Sequence, residues 1–229
     1  MSLLRLVPKR WKKRMALFTP RGFPDVRSCG AFYDARAGLF RGDAADEQMM
    51  ALEYGSVGGQ QKLFARATAL LPPVGKILDV GCGLGHLVDY ADCQSFPLDS
   101  YHGVDVSQAM IDRAQQRLAE RSEVSFELRD VLTQPLEPEM FDVSYIISVL
   151  GYAIGDDPLQ TMIRILANAY EACTTGVVFT HLVTGRKPGL VFTTDPSKLS
   201  ARLEQELGCR TAIDDNGDDF TYLMALLHP

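Results

Sequence analysis

Long apolar runs are missing from this sequence. No stretch approaches the ~18 residues needed to cross a bilayer, so no membrane-spanning helix is expected. Paired cysteines are missing too. Cys29, Cys82, Cys93, Cys173 and Cys209 are scattered, odd in number and form no C-x-x-C pair. That argues against a zinc site and against a disulfide framework, and no metal is expected. They read as small apolar fillers in a reducing cytoplasm. An apolar leader followed by a cleavage site is absent, so secretion is not expected and a cytoplasmic location is. Positive charge is scarce over most of the chain. Six of the 23 basic residues fall in residues 1–14, which hold no acid; the remainder sets 17 bases against 29 acids, a balance of −12. Such a body has no general attraction for phosphates, and nucleic acid is not an expected partner.

At 229 residues, with 46% hydrophobic and 23% charged content, the chain fits one α/β domain with an extension. Residues 1–30 are basic, then rich in Pro and Gly. They read as a mobile arm; Leu3, Leu4, Leu6 and Trp11 between the charges leave a membrane-surface or polyanion contact open, and organelle targeting as well. Two helices are predicted in 31–72, Asp43 to Leu52 with Asp43 as cap and Gly59 to Leu71. The polar stretch Tyr54 to Gln61 between them reads as a turn or a lid.

The chain is organised around Lys76-Ile77-Leu78-Asp79-Val80-Gly81-Cys82-Gly83-Leu84-Gly85. A short apolar run with Asp79 set into it reads as a buried strand. Glycine follows at every second position, and a helical pattern resumes at His86. Glycine in such a strand–helix corner permits positive φ and lets a ligand lie against the backbone. The dinucleotide fingerprint G-x-G-x-x-G needs one more residue than is present. A plain corner without a ligand is the bland alternative.

The next strand ends at Asp105, 20 residues after Gly85. An open α/β sheet places an acid there to accept hydrogen bonds from ribose hydroxyls. Its alternative role is a helix cap, for which Ser107 is better placed, before a helix over 108–121 with Met110 inward. A third strand is predicted at 124–128, followed by Arg129-Asp130-Val131. A fourth, over 141–147, is near-continuously apolar and so central, and runs out into Ser148 to Tyr152. Asp156-Asp157-Pro158 opens a helix, 176–182 is the fifth strand, and Pro196 to Leu207 is a helix. Strands at 209–213 and 220–227 flank Asn216-Gly217, a hairpin signal.

The G-x-G-x-G loop with Asp79, then Asp105, Asp130 and the final hairpin, resembles the class I S-adenosylmethionine-dependent methyltransferases over residues 54–228. The resemblance implies a three-layer Rossmann-like sandwich. Its seven-stranded, mostly parallel sheet would have the order 3-2-1-4-5-7-6, with the last strand antiparallel. It implies a basic arm and helical extension over 1–50 and the methyltransferase domain over 51–229. For S-adenosyl-L-methionine it implies contacts at Asp79, Gly81, Cys82, Gly83, Gly85, Asp105, Val106, Met110, Asp130, Val131 and Ser148. Asp130 would take the adenine amino group. Tyr54 to Leu87 with Gln60, and Asp195-Pro196, resemble a group of small bacterial and phage methyltransferases. Many of these carry Arg near position 63, where this chain has Leu63, so no role is carried over.

The Pro-Pro-aromatic motif of amino-directed DNA methyltransferases is absent after the fourth strand, as is the Pro-Cys of cytosine-C5 enzymes. The expected acceptor is therefore a small molecule. Acceptor-side candidates are His181, as base or as buried structural histidine, and Tyr152, as acid or as wall. His86 would touch the cofactor or merely start its helix. Arg186 and Lys187 would bind an anionic acceptor or belong to a solvated loop. A cofactor-binding protein without turnover and a nicotinamide-dependent oxidoreductase are the competing functions; the short glycine spacing disfavours the second.

Overall fold

The computed structural model describes residues 22–183, 192–215 and 221–229. The basic run 1–14, Arg186, Lys187 and the Asn216-Gly217 turn lie outside them. Among the described residues the helices are α1 (Val26–Leu39), α2 (Ala45–Ala51), α3 (Val57–Leu70), α4 (His86–Gln94), α5 (Gln108–Arg117), α6 (Pro158–Glu171) and α7 (Pro196–Leu207). The strands are β1 (Gly22–Phe23), β2 (Gly75–Val80), β3 (Leu98–Asp105), β4 (Val124–Leu128), β5 (Phe141–Ile146), β6 (Ala153–Ile154), β7 (Cys173–Leu182), β8 (Arg210–Asp214) and β9 (Thr221–Leu227).

Seven strands form the main sheet in the order β4-β3-β2-β5-β7-β9-β8. Numbered among themselves they run 3-2-1-4-5-7-6, and β9 alone runs opposite to the other six. A single sheet was expected. Instead the described residues hold nine strands in two sheets, because β1 pairs in parallel with β6 as a small ribbon. Two residues are too few to leave an alternating pattern, so neither strand was legible in the sequence.

The sheet is buried on both faces, which is why its central strands read as continuous apolar runs. On one face Leu78, Val104, Ile146, Phe179 and Met224 meet Met162 and Leu166 of α6 and Leu203 of α7. On the other, Ile77, Tyr101, Tyr145, Val178 and Leu223 meet Phe64 and Ala67 of α3 and Leu87 and Val88 of α4. Side-chain caps start the helices where the sequence supplies them. Ser56, Ser107, Asp157 and Asp195 accept from backbone N–H groups three residues on. Asp43 does not cap α2. Ala44 stands at that position, and the Glu47 carboxylate reaches back to the Gly42 N–H at 2.7 Å.

Residues 22–30 were expected in a mobile arm. They hold β1 and the start of α1, a helix that the sequence reading missed. Gly30 in its first turns, Pro24 just before it and a weak apolar stripe disguise it. What orders α1 is docking. Asp25 caps it by accepting from the Ser28 N–H at 2.7 Å. Asp34 accepts from the Ser107 hydroxyl at 2.6 Å and the Ala109 N–H at 3.0 Å, satisfying the exposed N-terminus of α5. Arg113 of α5 donates to the Phe40 and Gly42 carbonyls. Ala37 and Phe40 of α1, Ala51 of α2, Leu84 and Met110 then make a third small core over the carboxyl edge of the sheet.

Gly30 lies so close to the Val106 carbonyl that a Cβ would strike it. Gly30→Ala should therefore cost about 1–3 kcal/mol despite its better helix propensity. Chemical denaturation reads the cost; an unchanged or raised midpoint would mean that α1 does not dock as described.

Candidate functional site

Parallel pairing brings three strand ends to one edge. Asp79 lies opposite Gly103 of β3 and Tyr145 of β5, so β2, β3 and β5 finish together. The sheet order reverses at β2, and the crevice beyond that switch point is where α/β sheets hold ligands. The glycine loop closes the crevice from below. Gly81 and Cys82 donate to the Val104 carbonyl at 2.7 and 3.1 Å, and Gly83 donates to Asp105 Oδ2 at 2.9 Å. Gly81, Gly83 and Gly85 have φ of 73°, 54° and 72°, which only glycine adopts freely. A Cβ on Gly81 would strike Val149, and one on Gly83 would strike Leu52.

The resulting cleft holds about 730 Å³ of empty space, its open mouth included. Asp79, Gly81, Cys82, Gly83, Asp105, Val106, Met110 and Ser148 line it, as expected from the sequence. So do residues that the sequence reading did not assign to the site. Cys29 and Tyr33 come from α1, Leu52 follows α2, and Ile147 and Val149 flank Ser148. Tyr54 and Gln60 come from the stretch read as turn or lid. Cys29 and Tyr33 were missed because their helix was missed.

His86 lines the cleft as well, whereas Gly85, Asp130, Val131, His181 and Tyr152 are not brought to it. Gly85 is the left-handed N-cap of α4, turned toward Phe126 and Leu118. Asp130 spends its carboxylate on its own turn, accepting from the Leu132 N–H at 3.0 Å and the Thr133 hydroxyl at 2.8 Å. Val131 is buried in the core against α6. His181 is 2% exposed, packed beside the rings of Phe192 and Tyr222. Burial pushes its pKa down to about 4, the Leu150 backbone offsetting this only in part. Neither of its buried ring nitrogens has a side-chain partner, and it does not line the cleft. Tyr152 donates to Glu53 Oε2 at 2.7 Å.

Two buried carboxylates dominate the electrostatics of the cleft. Asp79 is 6% exposed, and burial raises it to about 7; the Tyr101 phenol, donating at 2.6 Å, lowers it and the Asp105 charge raises it. Burial also raises Asp105, but backbone N–H groups of Ser107, Gly83 and Val106 hold its ionised form. His86 is pushed down to about 4 by burial and then by the charge of Arg117. Its ring bridges Gln60, at 3.1 Å from Nδ1, and Gln48, at 2.8 Å from Nε2. A neutral imidazole donates through one nitrogen only, so one glutamine must turn its NH₂ to the other. The thiols are inert: burial lifts Cys29 to about 12 and Cys82 well above its usual value. The cleft is thus a binding site with acids, amides and hydroxyls, and no activated nucleophile among its described lining.

Glu53 fastens the cover that residues 22–54 form over the cleft. Its Oε2 accepts from Tyr33 at 3.0 Å and from Tyr152, while Oε1 lies 3.4 Å from the buried Arg36 guanidinium. Arg36 also donates to the Met50 and Ala51 carbonyls. Removing the carboxylate leaves a 3%-exposed guanidinium short of its counter-charge and two phenols unpaired. Glu53→Ala should lower stability by about 1–3 kcal/mol, discounted because Glu53 itself is 23% exposed. Thermal and denaturant melts measure this; no loss would show that the cover is held by its apolar contacts alone.

Comparison with known proteins follows the same geometry. The family model described as a methyltransferase domain matches residues 78–179, which run from β2 into β7. A biotin biosynthesis bifunctional protein, BioHC, of Teredinibacter turnerae is 31% identical over 108 residues, 44% of this chain and 18% of that one. The chain matches less than a third of the length of the curated relatives it resembles. Magnesium protoporphyrin IX methyltransferase of Synechocystis, crystallised with bound SAH, superimposes with a TM-score of 0.62 at 16% identity. That match covers 89% of this chain and 100% of the other. The cyclase SpnF superimposes at 0.64 with 15% identity, covering 91% and 98%.

Proposed function

We propose that this chain, which carries a class I methyltransferase domain, binds S-adenosyl-L-methionine in the cleft at the carboxyl edge of its sheet and methylates a small-molecule acceptor. The observation that carries the reading is the glycine loop tied to Asp105 at the switch point of the sheet. The cleft fits such a ligand. Gly81 and Gly83 leave backbone room that a Cβ would fill, and Asp105 ends its strand where ribose hydroxyls are accepted.

Asp79 and the loop Gly81-Cys82-Gly83 would hold the methionine part, Asp105 and Val106 the ribose, and Met110 the apolar face of the base. Asp130, whose oxygens serve its own turn, is not assigned. The cofactor supplies a methyl group already activated as a sulfonium. The work left to the chain is alignment and dryness. Tyr33, Leu52 and Tyr54 exclude water from above, while Ile147 to Val149 set the floor at the end of β5. A small acceptor agrees with this cover, with the acidic body and with the absence of nucleobase motifs.

One observation favours a second reading, cofactor binding without turnover: neither His181 nor the Tyr152 hydroxyl serves the cleft. Fold similarity to a cyclase likewise leaves the reaction to be argued from the site. Methyl transfer from labelled cofactor to any member of an acceptor panel excludes that second reading.

Isothermal titration with S-adenosylhomocysteine tests the binding step. Wild type should bind, and Asp105→Ala should weaken binding about 10- to 100-fold through loss of charge-assisted acceptors. Absence of binding by wild type, or an unchanged affinity in the variant, would sink the assignment.

A further inference from the structure

We propose that Asp79 and Asp105 together select the positively charged cofactor over its neutral product, and that Asp79 releases a proton as the cation arrives. This rests on reading the cleft as a sulfonium-cofactor site and adds what that site discriminates. S-adenosylmethionine carries one more positive charge than S-adenosylhomocysteine, whose sulfur is a neutral thioether.

The geometry is that of an uncompensated acidic cavity. Asp79 and Asp105 are 6% and 9% exposed and both line the cleft, and no Lys or Arg stands among its described lining residues. Nearby guanidinium groups are spent elsewhere. Arg117 donates to the Leu84 carbonyl and pairs with Asp89, its charge reaching the cleft only at His86 and the Tyr101 phenol, while Arg36 serves Glu53 and Arg113 serves the Phe40 and Gly42 carbonyls. In a low-dielectric cavity a nearby ligand charge is weakly screened.

The groups that face Asp79 cannot supply the missing charge. From β3 come the Tyr101 phenol and Asp105, from β5 Tyr145, from the loop Cys82, and from the segment before α3 Tyr54. Burial keeps the phenols and the thiol neutral, and His86 is neutral as well. Three backbone N–H groups favour ionised Asp105. Asp79 has only the Tyr101 hydroxyl, at 2.6 Å, so it is the member of the pair that holds a proton in the empty cleft. With its pKa raised to about 7, Asp79 is about half protonated at neutral pH. A bound cation stabilises the carboxylate, the O–H bond breaks and the proton passes to solvent. The thioether product keeps the α-ammonium but lacks the sulfonium charge, so the carboxylate is stabilised less, regains part of its proton from solvent, and the product is held less tightly.

The sign of the pH dependence follows. Cofactor affinity falls as pH drops below about 7, where a full proton must be displaced, and levels off above it. The test is titration calorimetry at pH 7 in two buffers of different ionisation heat, with S-adenosylmethionine and S-adenosylhomocysteine as probes. Wild type should release about half a proton with the sulfonium and clearly less with the thioether, and should prefer the sulfonium by about tenfold. Asp79→Asn keeps an acceptor for Tyr101; it should show no proton release from this site and lose most of the preference. Tyr101→Phe removes the hydrogen bond that favours the carboxylate, so release should grow toward one proton. That variant keeps the test decisive if Asp79→Asn fails to fold. Equal proton release in wild type and Asp79→Asn overturns the proposal, as does release unchanged in Tyr101→Phe or equal binding of the two probes. Failure of wild type to bind either probe removes the cofactor assignment itself.

Discussion

The carboxylate of Asp105 is the tie on which the site depends. It is buried at the end of β3, where an uncompensated charge would cost several kcal/mol. Backbone N–H groups compensate it. Gly83 donates to one oxygen and Ser107 to the other, both at 2.9 Å. One side chain thereby fixes the middle of the glycine loop after β2 and the turn that starts α5. The loop can come that close only because Gly83 is left-handed. Ser107, held by its N–H, is free to cap α5 with its hydroxyl oxygen and to donate its proton to Asp34 of α1. The chain of hydrogen bonds thus runs from the loop through Asp105 and Ser107 into the cover.

That order of dependence explains the character of the cover. The sheet and its two helical layers bury large apolar side chains on both faces and need no help from residues 22–54. The cover has only a small apolar core, Ala37, Phe40, Ala51, Leu84 and Met110, shared with the domain beneath. Beside it a ring cluster of Phe23, Phe32, Tyr33 and Tyr152 and several polar ties hold the cover: Asp34 on the N-terminus of α5, Arg113 on the end of α1, and Glu53 joining Tyr33, Tyr152 and Arg36. Polar ties of this kind are directional and individually worth little net energy. They position the cover rather than drive its burial, which suits a segment that must admit a ligand.

What the sequence showed and hid divides along the same line. The main sheet was legible because strands buried on both faces and helices with one apolar stripe leave periodic signatures. Ser107, Asp157 and Asp195 announced helix starts by chemistry that is local. The glycine loop and Asp105 were legible because their residue types follow from backbone conformation and strand position. α1 was not. Its residues are selected for contacts with α5 and the cleft, so Gly30 sits where a Val106 carbonyl approaches and Tyr33 points at Glu53 rather than along an apolar face. Asp25 before Ser28 was the one local signal that could have found it. Asp130 and His181 turn away from the cleft for another reason. A strand end says which edge a residue reaches, not which way its side chain turns. Asp130 turns to its own loop, and the His181 ring to Phe192 and Tyr222.

Backbone strain marks the cleft independently of any side-chain argument. Four non-glycine residues among those described have positive φ. Ser95 ends α4 and Glu139 sits in an exposed turn, where such a conformation is ordinary. Glu53 and Ser148, at φ 63° each, are different. Glu53 is the clasp of the cover, and Ser148 lines the cleft at the end of β5. Each costs of order 1 kcal/mol and persists only where tertiary bonds over-determine it. For Ser148 the bond is its N–H to the Thr180 hydroxyl at 2.6 Å, which ties the end of β5 to β7. For Glu53 it is the two phenols and the guanidinium. The left-handed turn at Ser148 lies just past the end of β5, and the next residue, Val149, packs beside Gly81. The wall opposite Gly81 begins where the strand stops.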